Sequence, residues 1–365
     1  MQKELIALMP GMGGGGAERV MSIILREAAD NGYRVRLLLS DKSVKTDYAL
    51  DERIEILRIP RQEGGKLSRK FHLIRFLRSY TKKNKSAVFL SFLTERNLDL
   101  LYAAPKGVRV VVSERNDPAR TITNRKLAPL MNRLRNRLYR KASSVVFQTP
   151  DAMAYFAKVK GIRGVIIPNP VAADLPYHRR ENNSKIIISV ARLTSQKNYP
   201  MLMDAFDGVY KQHPDYQLHI WGQEGHEPGM AEYLKSYAQS LSCAGAIRFM
   251  GFSREAAERV AEAEIFVLSS DYEGMSNSML EALTIGIPCV CTDCPIGGAR
   301  MFIKSGANGL LVPVGDAKAM ADAVNRMIED RALRERCFMN ADKLRGELDE
   351  KKIFKKWMEV FQNSL

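Results

Sequence analysis

No apolar run in the 365-residue chain approaches the ~20 residues that a helix needs to cross a bilayer. That excludes a chain built from membrane-spanning helices. The first apolar stretch is too short for a secretory signal and runs straight into a glycine-rich loop, so a cytosolic protein is expected. Low-complexity tracts and internal repeats are also missing. Cysteine is sparse: there are five, an odd number, which agrees with a reducing compartment. Cys289, Cys291 and Cys294 cluster, but no nearby histidine completes a zinc site. Cys289 and Cys291 alternate on a strand-like run and read as buried thiols.

Acid is short in one half only. Residues 1–180 carry 35 Lys+Arg against 16 Asp+Glu, and the remainder carries 21 against 25. The first half is therefore expected to meet something anionic: membrane lipid, a phosphorylated acceptor or nucleic acid. A helix predicted over 66–85 sets Leu67, Phe71, Ile74 and Leu77 among Lys66, Arg69, Lys70, Arg75, Arg78, Lys82, Lys83 and Lys85. A second, over 120–141, holds Arg120, Arg125, Lys126, Arg133, Arg135, Arg137, Arg140 and Lys141 and no acid. One basic helix is usually a solvated face. Two of them, interleaved with Leu, Met, Phe and Tyr, fit an anionic membrane surface better.

What is present in quantity is an alternation of short apolar runs and helical patterns. Leu5–Met9 reads as a strand, followed by the loop Gly11–Gly16, a helix from Ala17 to about Asp30 and a strand at Arg34–Leu39. Gly11, Gly13 and Gly16 satisfy G-x-G-x-x-G, and Asp41 stands where a ribose-binding acid would. A dinucleotide-dependent oxidoreductase is therefore one reading. Further strands are expected at Ile54–Ile59, Ala87–Phe92, Val108–Val112, Ser144–Phe147 and Val165–Ile167. The proline-marked, largely polar stretch 169–184 reads as a linker. The rhythm then restarts at Lys185–Val190 and runs to Leu310–Val312 and a helix from Asp316 to about Glu329. The expected architecture is α/β, with two Rossmann-like doubly wound domains, 1–168 and 185–345, facing a cleft. A C-terminal helix within 346–365 is expected to pack back on the first domain. Ligands should meet the carboxyl ends of both sheets, at Gly13–Gly16, Ser113–Asp117, Arg192–Lys197 and Glu273–Asn277.

The stretch Val267–Val290 is the most informative. A buried strand at Ile265–Leu268 turns through Ser269–Gly274 into a helix at Ser276–Thr284. Backbone N–H groups and the helix dipole make its start an anion site. Glu273 precedes the helix and Glu281 lies inside it. A nucleotide-sugar needs this pairing: a helix start for its diphosphate and fixed acceptors for its hydroxyls. A purely structural reading also fits, since Ser278-x-x-Glu281 matches a capping box. Arg192 and Lys197, five apart in a short polar loop, suit a diphosphate or are two surface cations.

Taken together, four segments carry a resemblance. GGGGAERV (Gly13–Val20), SVARLTSQKN (Ser189–Asn198), WGQEG (Trp221–Gly225) and DYEGMSNSMLEAL (Asp271–Leu283) follow the order of the motifs in retaining family 4 glycosyltransferases of the GT-B fold. CPIGGAR (Cys294–Arg300) is similar to members that build bacterial surface saccharides on lipid carriers. The resemblance spans nearly the whole chain. It implies that Arg192 and Lys197 hold the donor diphosphate, Glu281 the ribose, and Glu273 the transferred sugar near its anomeric centre. Backbone N–H groups of Met275, Ser276 and Asn277 would meet phosphate or sugar. Gly15 and Gly16 would close on the diphosphate, and Gly251 and Phe252 would meet the base.

Where the family often has a His, this chain has Arg115, which cannot serve as a general base. Glu114, Arg115 or Asp117, with Glu18, are the candidates for the acceptor side. The implied reaction moves a hexose or N-acetylhexosamine from a UDP-sugar to a lipid-linked saccharide. It does so with retention, without metal or other cofactor, and on the cytoplasmic face of the inner membrane. A GT-B epimerase or phosphorylase and a basic nucleic-acid-binding protein are the other readings, although no nucleic-acid module is recognisable.

Overall fold

Short, fully buried runs such as Val88–Phe92 and Ile265–Leu268 are what a parallel sheet with both faces covered requires. The computed structural model describes residues 3–41, 50–60, 63–122, 127–179, 182–225 and 227–363. It divides the chain into two units, Met1–Pro170 with Glu350–Leu365, and Val171–Asp349.

The first unit runs β1 (Glu4–Met9), α1 (Gly16–Asp30), β2 (Arg34–Leu39), β3 (Glu55–Arg58), α2 (Lys66–Lys83), β4 (Val88–Phe92) and α3 (Thr94–Ala103). It continues through β5 (Arg109–Ser113), α4 (Ala128–Tyr139), β6 (Ser144–Phe147), α5 (Pro150–Ala154) and β7 (Gly164–Ile166). Its seven strands are parallel in the order β3-β2-β1-β4-β5-β6-β7. Successive crossovers run outward from β1 to one side and then from β4 to the other, so the order reverses between those strands.

The second unit runs β8 (Ile186–Val190), α6 (Tyr199–Tyr210), β9 (Gln217–Trp221), α7 (Met230–Gln239), β10 (Ile247–Gly251), α8 (Ala256–Glu262), β11 (Ile265–Leu268) and α9 (Asn277–Ile285). It continues through β12 (Cys289–Thr292), β13 (Leu310–Val312), α10 (Ala317–Glu329), α11 (Arg331–Met339) and α12 (Ala341–Leu348). Its parallel order, β10-β9-β8-β11-β12-β13, reverses between β8 and β11. α10 shows how sequence sets an element: Asp316 caps it by accepting from Ala319 N, and Met320, Ala321, Val324 and Met327 form its buried stripe. All five cysteines are free and buried.

Several expectations change. Residues 171–179, within the stretch read as a linker, pack as part of the second unit. Val171 and Leu175 are buried, Val171 N donates to Leu348 O, and Arg345 donates to the carbonyls of Leu175 and Pro176 at 2.8 Å each. Residues 180 and 181 lie outside the described residues. The second unit extends to Asp349, and the last helix, α13 (Glu350–Asn363), begins after it. The helix expected over 120–141 starts at Ala128, where Pro129 suits the first turn; Arg125 and Lys126 lie outside the described residues.

Arg135, counted among that helix's surface cations, is wholly buried. It donates to Pro118 O at 2.8 Å and lies over the rings of Tyr155 and Phe156. α2 buries Leu73, Leu77 and Thr81, a four-residue spacing, and leaves Leu67 and Phe71 exposed. The apolar positions read from its sequence therefore fall on two faces.

α13 packs with α1 and completes the first unit's core. Trp357 is fully buried, 5.8 Å from Phe92 and 5.9 Å from Phe361 by ring centroids. The substitution Trp357→Ala should cost about 3–5 kcal/mol. Urea unfolding of the variant measures this; a loss below about 1 kcal/mol would show that the helix is dispensable to the unit.

Candidate functional site

Chain reversal between β8 and β11 sends the loops that follow them in opposite directions and opens a crevice at their carboxyl ends. The loop after β8 carries Arg192 and Lys197; the loop after β11 carries Glu273. Backbone and side-chain hydrogen bonds join the two loops. Gln196 Nε2 donates to Tyr272 O at 2.8 Å, Asp271 N to Gln196 O at 2.9 Å, Asn198 Nδ2 to Asp271 Oδ1 at 2.7 Å and Ser269 Oγ to Lys197 O at 2.7 Å. Asn198 takes a left-handed conformation, φ 44°, and also caps α6 by accepting from Met201 N. On its other side the β8 loop pairs with Trp221–Gly225. Leu193 N donates to Gln223 O and Gly225 N to Leu193 O. Only glycine fits at 222, where φ is 152° and a Cβ would run into the Ala191 carbonyl.

Within this frame the Lys197 ammonium pairs with the Glu273 carboxylate, each side chain 14% exposed. Ser270 Oγ donates to the same carboxylate at 2.7 Å. Arg192 is exposed and makes no ion pair among the described residues. Ser276, buried, caps α9 by accepting from Met279 N, so the cap is Ser276 and not Ser278; the capping box read around Glu281 does not form. Met275, also buried, precedes it, and Asn277 is the first helical residue. Glu281, half-buried, lies just beyond the first turn. Sequence and structure thus bring Arg192, Lys197, Glu273 and the start of α9 to one edge of one sheet. Gly251 ends β10 on the same edge, and Phe252 beside it is 57% exposed.

The brace beneath Glu273 was not visible in the sequence. Thr292 Oγ1 donates to Ser270 O at 2.7 Å, and Cys294 Sγ donates to the same carbonyl at 3.2 Å. Burial pushes the Cys294 thiol up to about 12, so it stays protonated and able to donate. A Cβ at Gly298 would collide with the Gly274 carbonyl, so the 294–300 loop lies directly against the turn that carries Glu273. CPIGGAR marked the loop; nothing local marked Thr292.

In the first unit, Gly15 occupies the N-cap of α1 and Gly16 its first position. The Glu18 carboxylate folds back onto Gly15, at the helix start. Two acceptor-side candidates prove to be interior groups. Glu114 is 1% exposed and accepts from Tyr139 OH and from Thr94 Oγ1; burial raises its pKa. Asp117 is 3% exposed and accepts from Ala119 N at 2.9 Å. A strand end reads the same in sequence whether its side chains turn inward or outward. Arg115 is buried too, over the Phe92 ring at 4.5 Å. Among the described residues no cluster of His, Cys, Asp and Glu has the make-up of a metal site.

A family model described as Glycosyl transferases group 1 matches residues 173–344, and one described as Glycosyltransferase Family 4 matches residues 14–175. The chain belongs to the family 4 glycosyltransferases of the GT-B fold. Membership displaces the dinucleotide-dependent oxidoreductase suggested by Gly11, Gly13 and Gly16.

Among relatives, this glycosyltransferase is 30% identical to the lipopolysaccharide core biosynthesis glycosyltransferase LpsE of Rhizobium meliloti. That match spans 46% of each chain, so the aligned part is about half the length of that relative. It is 26% identical to a Campylobacter jejuni enzyme over 93% of this chain and 94% of that one. The Campylobacter protein is the N-acetylgalactosamine-N,N'-diacetylbacillosaminyl-diphospho-undecaprenol 4-alpha-N-acetylgalactosaminyltransferase. The crystal structure of Anabaena Alr3699/HepE in complex with UDP and glucose shares the fold, with a TM-score of 0.83 at 18% identity. It covers 99% of this chain and 100% of its own.

The brace yields a test on this glycosyltransferase. Gly298→Ala should displace the Glu273 turn and lower kcat by about tenfold or more, since small misplacements at a reacting centre are costly. The melting temperature should stay within a few degrees of wild type. Unchanged kcat would show that the Gly274–Gly298 contact does not position Glu273.

Proposed function

We propose that the protein transfers a hexose or N-acetylhexosamine from a UDP-sugar to a lipid-linked saccharide in the assembly of a bacterial surface polysaccharide or glycan. The observation that carries this reading is the set of charges at the β8–β11 reversal. A cation paired to Glu273, a second cation without an ion pair among the described residues and a helix start stand at one sheet edge. The activities of the Rhizobium and Campylobacter relatives, and the UDP in the Anabaena structure, support it.

In this reading the diphosphate lies against the start of α9, with Arg192 and Lys197 opposing its charge. Glu281 accepts from the ribose hydroxyls, and Phe252 covers the base. Glu273 accepts from the hydroxyls of the transferred sugar. The acceptor oxygen bonds to the anomeric carbon on the face from which the diphosphate departs, so configuration is retained. As the bond from the anomeric carbon to the diphosphate oxygen breaks, that oxygen takes the acceptor's proton. Arg192, Lys197 and the helix dipole stabilise the charge left on the diphosphate, the role a divalent cation would otherwise fill. Before the donor binds, Glu273 already holds Lys197 in place; the diphosphate then shares Lys197 with it.

The basic first unit would dock on the cytoplasmic face of the inner membrane. Leu67 and Phe71 on α2 are 87% and 70% exposed, and Leu127, Leu130 and Leu134 at α4 are 51%, 64% and 37% exposed. Exposed cations accompany both groups: Lys66, Arg75 and Arg78 on the first, Arg133, Arg137, Arg140 and Lys141 on the second. Apolar side chains among cations are the pattern of an interfacial helix, with each cation contributing about 1 kcal/mol near anionic lipid.

Calorimetry in EDTA buffer tests the division of roles. Glu281→Ala should weaken UDP binding by tenfold or more, whereas Glu273→Ala should weaken it much less and mainly impair transfer. Equal losses of UDP affinity would contradict the roles given to the two acids, and a requirement for magnesium would contradict the metal-free step. For the membrane, replacing Leu67, Phe71, Leu130 and Leu134 by Ser should release the protein from anionic liposomes in a sedimentation assay. Undiminished co-sedimentation would rule out docking by these faces.

A further inference from the structure

Among the described residues the first unit buries two guanidinium groups, and their surroundings differ. Burial raises the pKa of the Glu114 carboxyl, and the field of the wholly buried Arg135 near it works against that rise. Arg115, 9% exposed, has no acid beside it among the described residues. Its Nη groups reach Ser113 Oγ at 3.4 Å and the amide oxygen of Asn169, and both of those partners are neutral. Its Nε makes no hydrogen bond. Burial without an acid pulls the Arg115 pKa well below its usual value, the reverse of what a paired guanidinium shows. A buried charge with no partner is costly, so a structure that keeps one leaves its countercharge to be supplied from outside.

The surroundings say what kind of group supplies it. Arg115, Gln148 and Asn169 come from the carboxyl ends of β5, β6 and β7, the ligand edge of a doubly wound sheet. Gln148 Nε2 donates to Asn169 Oδ1 at 2.7 Å, while Gln148 Oε1 is buried and accepts nothing. The cluster therefore lacks two things at once, an oxyanion for a guanidinium and a hydroxyl donor for an amide oxygen. A sugar bearing a carboxylate or a phosphate carries both.

We propose that Arg115 and Gln148 form a subsite for an acidic sugar, with Arg115 taking its carboxylate or phosphate and Gln148 Oε1 one of its hydroxyls. The site rests on the glycosyltransfer reading only for what carries that sugar, a saccharide substrate. The oxyanion meets a guanidinium pre-set by Asn169 and backed by the Phe92 ring, in a place where solvent screens little.

Saturation-transfer NMR on the full-length protein tests it with three probes: glucuronate, glucose 6-phosphate and glucose. Wild type should bind one or both acidic sugars at least tenfold more tightly than glucose, and the stronger of the two identifies carboxylate or phosphate. Arg115→Met should lose that preference, Arg115→Lys should keep part of it, and Gln148→Leu should weaken the acidic sugar while leaving the preference for charge. Without ligand, Arg115→Met should melt at or above the wild-type temperature, because a charge lacking its partner has been removed. If Arg115→Met does not fold, Arg115→Gln reads the same difference. Equal binding of all three sugars by wild type, or a preference unchanged in the Met or Gln variant, overturns the subsite. UDP binding, carried by the second unit, should be the same in every variant. Loss of UDP binding by wild type would sink the glycosyltransfer reading and leave this one standing.

Discussion

The ion pair between Lys197 and Glu273 is the interaction on which the second unit's site depends. Two opposite charges 4 Å apart are worth about 4 kcal/mol at an effective dielectric near 20, and partial desolvation offsets some of that. Its effect is more geometric than energetic. The pair, the Ser270 hydroxyl and the hydrogen bonds between the loops after β8 and β11 fix a cation and a carboxylate from separate segments at one sheet edge. Charges already oriented need not reorganise when the reaction develops new charge, and that is where electrostatic stabilisation gains most. Each side chain is 14% exposed within the pair, so the two are held against each other and not free in solvent.

The first unit uses its excess of cations in three ways. Some stay in solvent on α2 and α4 beside exposed Leu and Phe. Others hold the fold: Lys70 pairs with the nearly buried Asp99 and ties α2 to α3, and Arg135 anchors α4 to the carbonyl of Pro118. Arg115 alone among the buried ones in the described residues has no acid beside it there. A net charge of +15 is therefore not one property with one cause. Counting basic residues along a helix could not separate these uses, because Arg135 is buried while its near neighbours Arg133 and Arg137 are exposed.

What could be read in the sequence followed strong local signals. The β-strand and helix rhythm, the reversal points and the residues at strand ends came from apolar runs, glycines and charged loops, and so did the placing of Arg192, Lys197 and Glu273 together. What escaped depended on contacts distant in sequence. The support of Ser270 by Thr292 and Cys294 spans 22 and 24 residues and has no local mark. The choice between Ser276 and Ser278 as helix cap turns on two residues of helix start, which propensity does not resolve. The inward turn of Glu114 depends on Tyr139 from α4. The stretch 169–184 looked like a linker for its prolines and polarity, yet Arg345, about 170 positions away, holds Leu175 and Pro176 in place.

The most direct measurement is calorimetric titration of UDP into wild-type protein and into Arg192→Ala and Lys197→Ala, in EDTA buffer with melting temperatures taken alongside. If the charges at the β8–β11 reversal hold the diphosphate, both variants should bind UDP at least tenfold more weakly while melting within a few degrees of wild type. Wild-type affinity in both variants would contradict that assignment and place the nucleotide elsewhere on the chain.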